Sequence, residues 1–264
     1  MRNRLTDELA VCGLNAVLAI GEYHPQIINR LFLREERFYT FTGICKQLAE
    51  RKRPYKICED EELQRICKSV HHQGVVAMIE EPVVEPLSRE DLDLWASEGK
   101  TGVLLHSVGN DHNLGAIARA AAFFDVSFIV LNEKDLSFDD GYNQDVKLTT
   151  SAYRVAEGGF EHLTVRSVSN TAAFLKDASK KLITIGTDTK ARRRITDLSG
   201  IIKSAKTGSR RPGVVLVLGN EEFGLPEDVK DKCRCLLRIP GTGNIESLNV
   251  SQAASLFLHA IFEG

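Results

Sequence analysis

The sequence predicts an α/β protein, a parallel β-sheet covered by helices on both faces and preceded by a smaller α/β module. Three observations carry this expectation. Over roughly the last two-thirds of the 264 residues, short apolar or β-branched runs alternate with helical patterns, the pattern of a parallel sheet buried on both sides. The stretch EEPVVEPLSREDLDLWASEGK, residues 80–100, holds two prolines and many charges and breaks the composition near residue 85. The residues before it show their own, shorter alternation.

In the N-terminal module, residues 11–20 (VCGLNAVLAI) and 23–33 (YHPQIINRLFL) read as a helix, a turn and a strand. Thr40 to Lys52 is helical in pattern, with Ile44 and Leu48 on one side. Tyr55 to Cys58 reads as a short strand, Asp60 to Val70 as a helix, and Gln73 to Ile79 as a closing buried strand. The organisation expected is a module over 1–82, a linker over 83–98 with an amphipathic segment at Leu87 to Trp95, and a main domain over 99–264. In that domain, strands are expected at 102–106, 127–131, 182–186, 214–218 and 236–239. Helices are expected at 113–124, 149–157, 170–178 and 226–233.

A formal net charge of −2 gives no global basic field, so a nucleic-acid partner would have to meet local basic faces. Three clusters offer them: Lys190 with Arg192, Arg193 and Arg194; Lys203, Lys206, Arg210 and Arg211; and Arg51, Lys52 and Arg53. The six cysteines form no CxxC pair, which fits reduced thiols in a cytoplasmic protein. No apolar run approaches the ~20 residues that span a bilayer, so no membrane partner is expected. His71-His72 and Cys233-x-Cys235 lack a second pair at metal-binding spacing, so no metal is expected either. A dinucleotide-binding enzyme would need Gly-x-Gly-x-x-Gly after a first strand, and none occurs there.

Ligands of open parallel sheets bind outside the carboxyl ends of the strands, so the loops after the strands deserve inspection. After the 102–106 strand, Asn113 is a candidate helix cap and Gly115 permits close approach, with Arg119 in the second turn. After 214–218 comes GNEEFGLPEDV, in which Gly219 and Gly224 bracket a tight loop carrying Glu221 and Glu222. After 236–239 comes PGTGNIESLNVSQAASLFLHAI, with Ser247 and Asn249 ahead of an amphipathic closing helix. Ser247 has no nucleophile elbow and no histidine partner around it. Each loop alone has an ordinary structural reading as a cap or a solvated turn. Three in succession are more specific.

Together these loops resemble the motifs of the SpoU (TrmH-like) RNA ribose 2′-O-methyltransferases of the SPOUT superfamily. Residues 113–119 (NLGAIAR) are similar to the first motif and 218–225 (LGNEEFGL) to the second. Ile239-Pro240 followed by 246–254 (ESLNVSQAA) is similar to the third. The resemblance covers roughly residues 100–264. Residues 9–81, with Gly13-x-Asn15-Ala16-Val17 and His72-Gln73-Gly74-Val75, resemble the L30e-like substrate-binding module that often accompanies this domain. One position departs from the pattern, because Gly241 stands where many relatives have methionine.

The resemblance implies a SPOUT-type sheet with a C-terminal trefoil knot, an exception to unknotted topology. It implies S-adenosyl-L-methionine (SAM) as cofactor, held by Leu218, Gly219, Ile239 and Leu248 largely through backbone groups. It places Arg119 at a ribose 2′-hydroxyl of ribosomal or transfer RNA, with Asn113, Glu221, Ser247 and Asn249 around it. A guanidinium holds its proton too tightly to make a good base, so Arg119 reads better as a clamp on phosphate or developing alkoxide, with proton acceptor as the alternative role. A homodimer is implied as well. The rival reading is a non-catalytic relative that keeps the fold and binds RNA without turnover.

Overall fold

The computed structural model describes residues 2–3, 7–133, 148–206 and 211–264. The chain divides into two compact units. The first comprises Met1–Val83 with Leu148–His162, and the second Val84–Lys147 with Leu163–Gly264.

The first unit is built on a five-stranded sheet of β1 (Arg2–Asn3), β2 (Glu8–Cys12), β3 (Ile28–Leu33), β4 (Tyr55–Ile57) and β5 (Val75–Glu80), in the order β1-β2-β5-β3-β4. Only β3 and β4 pair in parallel. The strand β2 was not foreseen: ELAVC is continuously apolar after Glu8 and merges with the helical run that follows it. The helices are α1 (Leu14–Tyr23), α2 (Phe38–Glu50) and α3 (Asp60–Cys67). The α2 helix turns Phe41, Ile44, Cys45 and Leu48 inward, the i, i+3, i+4, i+7 spacing that puts one stripe on one face. Cys12, Cys58 and Cys67 are buried in one core cluster with Ala10, Leu63, Val76 and Met78, and all six cysteines are free thiols. Cys67 hydrogen-bonds to Cys12, which pulls the Cys67 thiol down and pushes Cys12 up.

The helix α6 (Thr150–Ala156) was expected in the C-terminal domain, yet it groups with this first unit. Its local contacts explain why. Thr150 Oγ1 donates to the carbonyl of Ala10 at 2.6 Å, and Asn15 donates to Glu157 at 3.1 Å. Tyr153 and Phe160 are buried together, their ring centroids 5.0 Å apart. Glu161, with a side chain only 4% exposed, pairs with His24. Burial pushes the Glu161 carboxyl above the usual range, although His24 and His162 pull the other way.

The second unit is an eight-stranded sheet whose pairings are all parallel. Its strands are β6 (Glu85–Pro86), β7 (Thr101–Leu105), β8 (Phe128–Asn132), β9 (Thr164–Val168), β10 (Ile183–Thr187), β11 (Arg193–Arg194), β12 (Val214–Leu218) and β13 (Cys235–Arg238). They lie in the order β11-β13-β10-β12-β7-β8-β9-β6. Strands β7, β8 and β12 are buried along their whole length, as a sheet covered on both faces requires. On one face Leu104, Phe128, Val130, Val215 and Val217 pack under α4 (Arg89–Glu98), α7 (Thr171–Ala178) and α9 (Glu227–Lys230). The helix α10 (Val250–Glu263) packs against α5 (Asp111–Phe123) and α8 (Leu198–Ser204) and lies on β12.

Of residues 83–98, expected as a linker, all but Val83 group with this sheet unit. Glu85 and Pro86 pair with β9. Ser88 and Asp91 form a capping box that starts α4, and Arg166 donates to Asp91 at 3.0 Å. Burial alone would raise Asp91, but the Ser88 amide, Arg166 and the Ser88 hydroxyl outweigh it and hold its carboxyl below the usual range. Leu92 and Trp95 are buried, and Trp95 stacks on Phe128 with centroids 3.6 Å apart.

Candidate active site

The three inspected loops leave the carboxyl ends of β7, β12 and β13. Strands β7 and β12 are direct neighbours, with Leu105 opposite Leu218, and β10 separates β12 from β13. Consecutive strands β7, β8 and β9 run out to one side of this point, and β12, β10 and β13 lie on the other. The strand order reverses there, where a doubly wound sheet opens a crevice for ligands.

Asn113 does not cap α5, as the sequence suggested. Asn110 is the cap, accepting from the His112 amide at 2.8 Å. Asn113 lies in the first helical turn and is free to look outward. Its Nδ2 donates to Glu221 at 2.5 Å, and its Oδ1 accepts from Asn249 Nδ2 at 3.1 Å. Asn249 in turn caps α10, accepting from the Ser251 amide at 2.9 Å and the Ser251 hydroxyl at 2.6 Å. One hydrogen-bonded chain thus joins all three loops.

The second loop is shaped by Asn220. Asn220 Nδ2 donates to the Ser107 carbonyl at 2.9 Å, while its Oδ1 accepts from the amides of Glu222 and Phe223 at 2.9 and 3.0 Å. Asn220 also forms a β-bridge with Gly224. Gly219 is required by this turn. A Cβ there would lie 2.5 Å from the Gly224 carbonyl carbon and 2.6 Å from the Leu225 nitrogen, both backbone atoms. The sequence signal for this turn was the one asparagine inside a Gly-bounded loop, the residue type that hydrogen-bonds its own backbone two residues on.

Beside this point His106 follows β7 directly. Its amide donates to the Leu218 carbonyl at 2.9 Å, and its Nδ1 is hydrogen-bonded to Thr171 Oγ1 at 3.0 Å. Asn132 completes the cluster, donating to Thr171 Oγ1 at 2.9 Å. At the end of β10, Lys230 pairs with Asp188 at 3.0 Å, and both side chains are mostly buried. Burial opposes ionisation of Asp188, but the Lys190 amide and Lys230 overcome it and hold the carboxyl below its usual range.

The remaining expected site residues fall in two groups. Leu218 is buried at the end of β12 and Ile239 is half-buried just past β13. Residues 240–249 are all exposed, and Leu248 is about half-exposed among them. Ser247 lies in this segment, outside the hydrogen-bonded chain described above. Arg119 is exposed. It sits six residues along α5 from Asn113, about 9 Å further and about 120° around the axis.

Of the basic clusters, Lys190, Arg192, Arg193 and Arg194 are exposed, as are Lys203, Lys206, Arg51 and Lys52. Arg211 is tied instead to the Ile261 carbonyl at the end of α10. Arg53 is half-buried and donates to Asn29. Arg210 lies outside the described residues. Among the described residues no group of three or more His, Cys, Asp or Glu side chains is disposed to hold a metal ion, and no helix is long and apolar enough to cross a membrane.

A family model described as the SpoU rRNA methylase family matches residues 100–259. A second, described as RNA 2′-O ribose methyltransferase substrate binding, matches residues 10–83. The chain is 28% identical to YfiF of Escherichia coli O157:H7, named an uncharacterized tRNA/rRNA methyltransferase, over 98% of this chain and 69% of that protein. It is 28% identical to RlmB of Bordetella pertussis, named a 23S rRNA (guanosine-2′-O-)-methyltransferase, over 94% of each. Among solved structures, an AdoMet-bound rRNA methyltransferase from Sinorhizobium meliloti superposes with a TM-score of 0.70 at 21% identity, covering 97% of this chain and 87% of that one.

Proposed function

Given that the chain belongs to the SpoU rRNA methylase family, we propose that it transfers a methyl group from SAM to a ribose 2′-hydroxyl of structured RNA. The observation that carries this reading is the chain Glu221–Asn113–Asn249, which draws three loops together at the point where strand order reverses. The residues present suit the cofactor. The exposed backbone of 240–249 offers amides and carbonyls for directed hydrogen bonds, and Leu218, Ile239 and Leu248 offer apolar surface for an adenine.

SAM, when bound, supplies an electrophilic methyl on a sulfonium leaving group. The work left to the chain is to align the hydroxyl oxygen with the methyl carbon and to stabilise the oxygen as its proton leaves to bulk water. In this reading Glu221 fixes the Asn113 amide, Asn113 fixes Asn249, and the three present oriented polar groups to a nucleotide. Ser247 adds a hydroxyl from the adjoining loop. Arg119 acts as the clamp on phosphate or on the developing alkoxide. The Leu218, Gly219, Ile239 and Leu248 backbone holds the cofactor.

Several finer features belong to the same reading. Residues 1–82 form an L30e-like substrate-binding domain, supported by the substrate-binding family match. The chain beyond β13 forms a trefoil knot, in keeping with the return of α10 onto β12, a strand two positions across the sheet. The protein is a cytoplasmic homodimer, a state supported by the large exposed apolar side chains Phe123, Leu256 and Phe262 on α5 and α10. Ribosomal RNA is the favoured substrate, as the name of the Bordetella relative suggests for that protein.

Calorimetry with SAM, followed by transfer of labelled methyl to bacterial total RNA, tests the reading. Wild type should bind SAM and label RNA at ribose 2′-oxygens, and Arg119→Ala should lose transfer while keeping SAM. SAM binding with no transfer to any RNA fraction would favour the non-catalytic alternative. Full transfer by Arg119→Ala would remove Arg119 from the site.

A further inference from the structure

We propose that Tyr39, Gly43 and Lys46, on the outer face of α2, form a platform on which an unpaired base of the RNA substrate stacks. The proposal rests on the reading that this chain modifies RNA, and it names where on the first unit the RNA is held.

The three residues follow i, i+4, i+7 spacing, so they share one face of the helix. That face is opposite in role to the buried stripe of Phe41, Ile44, Cys45 and Leu48. Tyr39 is 90% exposed, so its ring contributes little to the core. It is not isolated, however. Phe38 stands edge-on to it at 6.4 Å, and Phe38 leans on Tyr55, itself 41% exposed, at 6.4 Å. The aromatic surface is therefore braced from one side and open on the other.

Gly43 is the sharper clue. Glycine inside a helix weakens it relative to alanine, so an interior glycine normally has a packing reason. Here a Cβ would meet nothing within 4 Å. The fold does not require glycine at this position, and the space it keeps clear lies outside the protein. One turn further on, Lys46 is exposed on the same stripe, and Arg51 and Lys52 continue the positive charge past the helix end, with Glu50 between.

A flat ring, a gap and an ammonium group in a row complement the parts of one nucleotide, which are a π-face, a sugar needing clearance and a phosphate. Unpaired bases in RNA are held by stacking on aromatic side chains with cationic groups on the backbone. A second copy of the chain would be met better by contiguous aliphatic surface than by a ring beside a void and a charge. The RNA-substrate-binding family match spans all of these residues.

The test uses the full chain and fluorescence anisotropy with two labelled RNAs, a hairpin with a single-stranded loop and a fully paired duplex. Tyr39→Ala should weaken hairpin binding about tenfold or more, Tyr39→Phe should keep it, and duplex binding should change little in either. Gly43→Ala should raise the Tm and yet weaken hairpin binding, a split that no structural role produces. Methyl transfer at saturating RNA should keep its kcat in all three, with KM raised in the two weakened variants. A wild type that methylates RNA while Tyr39→Ala and Gly43→Ala bind the hairpin normally overturns the platform and leaves the function standing. Altered oligomeric state by light scattering with unchanged RNA affinity overturns it in favour of a second copy. A wild type that binds the hairpin but methylates no RNA counts against the function, and the same variants still decide the platform.

Discussion

Replacing Gly219 by alanine puts one methyl group where the second loop folds back on itself. The added carbon would sit 2.5 Å from the Gly224 carbonyl carbon, 2.6 Å from the Leu225 nitrogen and 2.7 Å from the Gly224 oxygen. All three atoms are backbone, so no rotamer change relieves the contact. Restoring an ordinary carbon–carbon separation requires the loop to open by about 1 Å. Overpacking of this kind costs about 1–3 kcal/mol. At about 2–4 °C per kcal/mol for a domain of this size, the Tm should fall by about 2–12 °C. The displaced loop also carries Glu221 and the Leu218–Gly219 backbone. If that backbone holds SAM as proposed, loss of one hydrogen bond there should weaken SAM about tenfold, and misplacement by about 1 Å should slow transfer about a hundredfold. Gly241→Ala is the matched control, because a Cβ there meets nothing within 4 Å. Its stability should stay within about 0.5 kcal/mol of wild type. Scanning calorimetry and SAM titration of both variants check the argument. A Gly219→Ala protein with wild-type Tm and wild-type SAM affinity would refute it.

Three further outcomes are expected. Trp95→Ala removes the ring stacked on Phe128 and should destabilise the second unit by about 3–5 kcal/mol, read by urea denaturation; a loss under 1 kcal/mol would mean that α4 is a loose connector after all. Asn113→Ala cuts the link between Glu221 and Asn249, and should lower kcat about a hundredfold in methyl-transfer assays with little change in Tm. Glu161 concerns pH. Its folded-state carboxyl holds its proton more tightly than the ordinary 4.5, so its stabilising contribution is complete below that value and is lost as pH rises above it. The Tm advantage of Glu161→Gln over wild type should therefore grow from pH 4 to pH 7, and a constant difference would contradict the assigned burial.

The sheet of the second unit was legible because a strand buried on both faces is mostly apolar, as β7, β8, β10 and β12 are, with Thr101, Asn132, Thr184 and Thr187 as their polar members. Strand β9 was not, since TVRSV lies near the sheet edge, is only partly buried and spends Arg166 on Asp91. The cap on α5 was assigned to Asn113 and belongs to Asn110, because Asn-Asp-His-Asn presents two equivalent candidates and only the backbone turn separates them. Asn220 and His106 were missed for a different reason. The Asn220 bond to Ser107 and the His106 bond to Thr171 reach residues distant in sequence, and no periodicity reports a contact of that kind, although the local turn at Asn220 was readable from its residue type. The segment over 149–157 shows the same limit. Its helical pattern was readable, while the choice of what it packs against lay with Ala10, Asn15 and His24.

That segment also constrains how the gene can be cut. Strands β8 and β9 are neighbours in the second unit, and the chain between them contributes Tyr153, Phe160 and Glu161 to the core of the first. Deleting everything before Val84 would strand two aromatic rings and a carboxylate in water, so the first unit is not a detachable N-terminal cassette. A swap of that module between homologues has to exchange residues 148–162 along with it, or the recipient inherits half of an interlocked core.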